Sequence, residues 1–349
     1  MHQPVLSALG QMLDSQPAES GASGAVVATL AGDAADIAVV TRDGFTPPFQ
    51  PHSRVLLYSF TKSIMAAALL RMVAAGQINL TDALDRFLPQ HPVAAKITLG
   101  DVMAHISGLP DYGGLAEYHA AVRASSLPWS AEEFLARTNA GRLKFEPATS
   151  WAYSNIGYML LREVLVQVGG DDMERVLRRE IFDPLGIVTA SVPLSKADFF
   201  SFSFGPSRYL ADGGPPMTVA GHYHPGWISH GVVGSSALDA ARMLRGIMET
   251  LLPAALLEQM MKPITHFTSG VGAGRPWRQP AYGLGLQIEL DETIGPAYGH
   301  TGGGPGVSPV VMHFPRREPP LTIALITDGE DVGLAETLLL EVAAHAQAV

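Results

Sequence analysis

The chain of 349 residues contains no cysteine. That absence excludes thiol catalysis, zinc sites built on sulfur and a disulfide framework. Lysine is scarce, with five residues in all: Lys62, Lys96, Lys144, Lys196 and Lys262. At a net charge of −10 no basic patch can track a phosphate backbone, which argues against nucleic acid as a partner. The same sign disfavours an anionic membrane surface. Long apolar runs are missing too: IMAAALL (64–70) falls far below the roughly 18 residues that cross a bilayer. The N-terminal stretch MHQPVLSALGQMLDSQ has neither the basic start nor the small-residue cleavage pattern of a signal peptide. It predicts an amphipathic helix and a cytoplasmic protein, or a periplasmic one if a leader was removed.

What is present is an ordered series of elements. GAVVATL and ADIAVVT, split by GDA, predict two antiparallel strands. VLLYSFTKSIMAAALLRMV (55–73) is apolar nearly all round and predicts a buried helix ending near Gly76. Helical periods follow in TLGDVMAHI (98–106), SAEEFLART (130–138), IGYMLLREVLVQVGG (156–170) and DMERVLRREIF (172–182), with Ser130 and Glu133 spaced as a capping box. From 196 to about 234 the period is lost and aromatics accumulate, as in a functional wall. Phe199, Phe200, Phe202, Phe204, Tyr209, Tyr223 and Trp227 are the candidates to line a pocket.

A helix opens at Ser236 or Asp239 and runs to about Thr250. YGLGLQIEL (282–290), AYGHTGG, VSPVVMHF (307–314) and LTIALIT (321–327) predict strands, and LAETLLLEVAAHA a closing helix, with DGED (328–331) as a solvated loop capping it. Strands at both ends around a helical middle predict an α/β (α+β) fold. The sheet domain would comprise 1–76 and 205–349, and 77–204 would form an inserted, mainly α-helical domain.

Lys62 is out of place in an apolar helix, because burying an ammonium is costly. Ser59 lies three residues earlier, on the same helical face and near the positive end of the dipole. A serine hydroxyl needs a base to become a nucleophile, and a buried lysine can be one if its pKa falls. Taken alone, S-x-x-K reads more readily as a helix cap and a lysine stem reaching for water. A second element is WAYSNIGYMLL, where Tyr153 and Asn155 form Y-x-N. A tyrosine beside an ammonium can lose its proton below its reference value and act as a phenolate; Asn155 can donate to a carbonyl and accept from the lysine. A third is GHTGGGPG (299–306), where His300, Thr301 and Gly302 precede Gly303 and the glycines permit close backbone approach. His222 and His224 lack a further ligand for a metal, and His105 reads as a structural hydrogen-bonder.

S-x-x-K, Y-x-N and H-T-G in this order resemble the serine β-lactamase and penicillin-binding protein superfamily, in the class C branch with its carboxylesterase, D,D-peptidase and D-aminopeptidase relatives. HISGLPDY (105–112), FEPATSWAYSNIGYMLL and IFDPLGI are similar to further stretches of that family, with Ile106 in place of Thr and Ala148 in place of Gly. The resemblance implies an antiparallel sheet flanked by helices on both faces, and an acyl-enzyme on Ser59. Lys62 and Tyr153 would share the base role. The Ser59 and Gly303 N–H groups would hold the oxyanion, and Asn155 and the His300–Gly302 strand the substrate. No cofactor or metal is implied. The substrate would be a small ester, amide or β-lactam. His300 stands where class C β-lactamases carry Lys, which favours a peptidase-like or esterase-like site over a β-lactamase, and H-T-G is itself familiar from D,D-carboxypeptidases. The missing export signal then favours a carboxylesterase or D-aminoacyl amidase, with a D,D-carboxypeptidase or weak β-lactamase as the alternative. A sensor or scaffold that never turns over is a further alternative. Activity is expected to fall in acid, as the Lys62–Tyr153 pair loses its free base and His300 becomes charged.

Overall fold

The computed structural model describes residues 3–17, 22–266 and 274–346. Helix α1 (Gln3–Asp14) leads into the hairpin β1 (Gly24–Ala31) and β2 (Ala34–Thr41), then β3 (Arg54–Leu56) and α2 (Phe60–Ala74). The helical middle holds α3 (Leu99–Met103), α4 (Ala116–Arg123), α5 (Ala131–Arg137), α6 (Asn155–Gly169) and α7 (Met173–Leu177). After the aromatic segment come β4 (Gly234–Ser236), α8 (Ala237–Gly246), α9 (Ala254–Met261) and β5 (Thr265–His266). The chain closes with β6 (Pro280–Tyr282), β7 (Gln287–Glu289), β8 (Ala297–Thr301), β9 (Ser308–Phe314), β10 (Leu321–Thr327) and α10 (Val332–His345).

Eight strands form one sheet in the order β2-β1-β10-β9-β8-β7-β6-β5, every pairing antiparallel. The N-terminal hairpin therefore docks onto the last strand, and the sheet is built from both halves of the chain. Every residue of β9 and β10 is buried, because helices cover both faces of these central strands. One apolar core lies between the sheet and α1 and α10, with Leu9, Leu13, Ile323 and Leu338; a second lies on the other face, around α2, α6 and α8. Edge strand β2 is exposed or half-buried at every position but Val40. No helix among the described residues is long and apolar enough to cross a membrane.

Caps fall where small polar residues stand. Ser130 accepts from Glu133 N and closes the capping box, Ser236 caps α8, and Asp331 accepts from Gly333 N and Leu334 N at the start of α10.

Two predicted elements are divided by local geometry. The stretch 55–73 is not one helix: residues 54–56 pair with Gly234–Ser236, and Tyr58 turns the chain with φ +43° before α2 begins at Phe60. A short strand buried on both faces is as apolar as a buried helix, so period cannot separate them. YGLGLQIEL is a hairpin, β6 and β7, turned by Gly285 at φ +71°. A Cβ there would lie 2.5 Å from Ala66 Cβ, so only glycine lets this turn pack on α2, where Ser63 Oγ donates to its carbonyl at 2.6 Å.

Candidate active site

Ser59 sits at the N-cap of α2, one residue after the left-handed Tyr58. That conformation costs a residue with a Cβ roughly 1–2 kcal/mol, and the surroundings hold it. The Tyr58 hydroxyl donates to Pro305 O at 2.7 Å, and Gly304 lies so close that a Cβ on it would come 2.3 Å from the Tyr58 ring. Gly302 is equally constrained, since its Cβ would fall 2.6 Å from Leu57 O. The glycine run therefore lets the end of β8 lie against the Leu57–Ser59 turn. Among the described residues the N–H groups of Ser59 and Gly303 have no acceptor, the arrangement expected of a pair of donors waiting for an oxyanion.

Lys62 lies one turn on and is completely buried. Its Nζ is 3.2 Å from Ser59 Oγ, 2.8 Å from Asn155 Oδ1 and 3.3 Å from His230 Nε2. Burial lowers its pKa from 10.5 to about 7, with the Asp111 carboxylate pulling the other way. A free amine has two hydrogens and one lone pair. With the hydrogens on Asn155 and His230, the lone pair faces the serine hydroxyl. His230 then carries its own proton on Nδ1, which has no partner among the described residues.

Tyr153 hydrogen-bonds Ser59 from the other side, and its ring lies 4.9 Å from Lys62 Nζ. Burial raises its pKa well above the ordinary value, with only the Ser59 hydrogen bond opposing. Burial thus works against the expected phenolate and towards a free Lys62 amine near neutral pH. The Tyr153 ring rests on His105 at 4.3 Å, and His105 Nδ1 accepts from Ser154 N at 3.1 Å. Ser154 in turn caps α6 through Gly157 N. His105 is thus the structural hydrogen-bonder expected, and it fixes the turn that presents Tyr153. Ala148, earlier in that turn, has φ +61°, the region where glycine would be unstrained.

Both ring nitrogens of His300 are engaged within the protein. Its Nδ1 donates to Thr301 O at 2.7 Å, so Nε2 accepts from the Tyr282 hydroxyl at 3.0 Å. Burial, with Lys62 nearby, lowers its pKa to about 3. The expectation that His300 charges as activity falls in acid is therefore corrected; it stays neutral and braces Tyr282. Thr301, Gly302 and Gly303 do border the site. The Thr301 hydroxyl donates to the fully buried Glu336, which Arg275 grips with two nitrogens.

Two cavities meet at Ser59, Gly303 and Val332. The first, about 430 Å³, is bordered by Tyr153 and Thr301 and walled by Trp151, Trp277, Ile288 and Met312. The second, about 410 Å³, is bordered by Asn155 and His230 and walled mainly by tyrosines. Of the aromatics expected in a pocket wall, Tyr209, Tyr223 and Trp227 line this second cavity. Phe199 and Phe202 are core residues, Phe204 packs against that core, and Phe200 is exposed.

The DGED segment is not a solvated loop. Asp328 is buried and accepts from Ser23 N and Gly24 N, while Glu330 reaches the second cavity. Sequence reasoning missed His230 and Glu330, because both stand in or against aperiodic chain with no spacing to single them out.

The Beta-lactamase family model matches residues 9–347. A penicillin-binding protein of Bacillus subtilis (strain 168) is 24% identical over 313 residues, 85% of this chain but 66% of that protein. Esterase EstB of Burkholderia gladioli is 26% identical over 286 residues, 70% of this chain and 69% of the esterase. The chain thus spans only about two thirds of these relatives' lengths. The crystal structure of a D-amino acid amidase from Ochrobactrum anthropi SV3 superposes with a TM-score of 0.79 at 21% identity, over 99% of both chains, a likeness of fold. On the match across nearly its whole length, the chain belongs to the Beta-lactamase family.

Proposed function

We propose that the protein is a serine acyl hydrolase that forms an acyl-enzyme on Ser59, acting on short carboxylic esters or D-aminoacyl amides. The observation that carries this reading is the buried Lys62 amine, 3.2 Å from Ser59 Oγ, with burial lowering its pKa to about 7. In the proposed reaction Ser59 Oγ attacks the substrate carbonyl while Lys62 takes its proton. The oxyanion lies between the Ser59 and Gly303 N–H groups, a pair whose loss costs on the order of 100- to 1000-fold in rate. Tyr153, also bonded to Ser59, passes its proton to the departing alcohol or amine and regains one from the Lys62 ammonium. The serine proton is in effect delivered to the leaving group, and the amine is free again. Water then releases the acid, with the same amine as base. Asn155 keeps the amine oriented and offers its own N–H groups to the acyl portion.

Charge supports a neutral leaving group. Arg275, the cation bordering the first cavity, is neutralised by Glu336, and His300 is uncharged. A substrate carboxylate there, as in a D,D-peptide or a β-lactam, would find no unpaired cation among the described residues. Esters and amides with aryl or alkyl leaving groups fit the Trp151–Trp277 wall instead. Turnover of p-nitrophenyl butyrate by the wild type and by Ser59→Ala tests the reading. The variant should be inactive; equal rates would remove Ser59 from the chemistry.

A further inference from the structure

Building on that reading, the two cavities divide the substrate between them. Tyr153 borders only the first and Asn155 only the second. If the leaving group must receive its proton from Tyr153, it occupies the first cavity, and the acyl chain occupies the second.

The walls of the second cavity are unlike those of the first. Tyr58, Tyr112, Tyr118, Tyr209, Tyr223 and Trp227 border it, and Glu330 is the one formally charged side chain among its lining residues. Glu330 Oε1 accepts from Ser207 Oγ at 2.5 Å and Gly306 N at 3.1 Å; Oε2 accepts from Arg208 N at 3.1 Å and Tyr209 N at 3.0 Å. All four donors are neutral, so they hold the carboxylate in place without cancelling its charge. A second carboxylate, Asp111, stands just behind, accepting from Asn155 N at 2.7 Å and Gly113 N at 3.1 Å. Arg123 approaches the Tyr209 ring at 5.1 Å, but it is paired with Asp212 at 2.8 Å. His119 bonds the Tyr209 hydroxyl and Gly113 O, and neutral His230 carries no charge to offset Glu330. Behind the lining, Lys62 at Asn155 and His230 is opposed by Asp111, and Arg162 by Glu163. That leaves Glu330 as the charge on a wall of π-systems, the environment that attracts an organic cation.

We propose that this second cavity recognises a positively charged alkylammonium group on the acyl portion of the substrate, with Glu330 supplying the charge and the tyrosines and Trp227 the apolar, cation-attracting wall. The preferred substrates are thus acyl compounds bearing an onium or amine group, released from an uncharged aryl or alkyl leaving group.

The test uses two p-nitrophenyl esters that share a leaving group. One carries a trimethylammonio-butyryl chain, the other its neutral tert-butyl isostere, and rates are normalised to hydroxide hydrolysis of each. The wild type should show a kcat/KM about tenfold higher for the onium ester, the size of a desolvated cation–π and carboxylate interaction. Glu330→Gln should bring the ratio close to one. Equal or better turnover of the isostere by the wild type, or an unchanged ratio in Glu330→Gln, overturns the inference and leaves the acyl hydrolase standing. Failure of both esters in a protein that also resists labelling by a fluorophosphonate removes the hydrolase reading and this inference together.

Discussion

The pH dependence of acylation follows directly from the surroundings of Lys62. Burial lowers its pKa to about 7, and only the free amine can accept the serine proton. The reactive fraction is then about one half at pH 7 and about one hundredth at pH 5, so kcat/KM should fall roughly 100-fold between its plateau and pH 5, with unit slope. His300 adds no limb in this window, because burial lowers its pKa to about 3. Tyr153 adds none either, since its proton stays on far into alkali. Stability runs in the same sense. The unfolded chain holds the Lys62 proton up to its ordinary 10.5, so below about pH 7 the folded state carries the full cost of burying the charge, and that cost fades as pH rises towards 10.5. The assay is p-nitrophenyl butyrate hydrolysis followed at the isosbestic wavelength from pH 5 to 9. A flat profile over that range would refute the argument. So would a limb that survives unchanged in Lys62→Met.

Other substitutions probe the supports. His230→Leu removes one of the three acceptors of a Lys62 ammonium, a charge-assisted bond of about 1.5–3 kcal/mol. It should slow acylation tenfold or more and move the acid limb downward; a pure packing role would leave the limb in place. Ala148→Gly relieves a left-handed residue and should stabilise the fold by about 1 kcal/mol, read as a raised urea midpoint at unchanged slope. Arg275→Ala leaves the fully buried Glu336 with the Thr301 hydroxyl alone. The expected cost is about 3–5 kcal/mol in denaturant titration.

How much of this could be read in advance depended on spacing. Ser59 and Lys62 were legible because one helical turn brings them together, and Asn155 because Y-x-N precedes a clear helical period. The role of Gly303 came from the family resemblance of H-T-G, the glycines themselves marking only a place where another backbone comes close. The central strands β9 and β10 were plain from uninterrupted apolar runs. The boundary at Tyr58 was not, because its positive φ is imposed by tertiary contacts with Gly304 and Pro305, far away in the chain. The partners of His300 were not legible either. A strand residue can point either way, and here Tyr282, supplied by a hairpin mistaken for one strand, claims its outer nitrogen. His230 and Glu330 reach the site from aperiodic segments, where nothing local marks one polar residue above its neighbours.

The central claim, that one hydroxyl is activated by a buried amine beside two main-chain donors, is tested most directly by covalent labelling. Intact mass spectrometry after treatment with a fluorophosphonate at pH 8 should show a single adduct, mapped by peptide sequencing to Ser59 and absent from Ser59→Ala. An unlabelled wild-type protein, or an adduct that persists in Ser59→Ala, would contradict it.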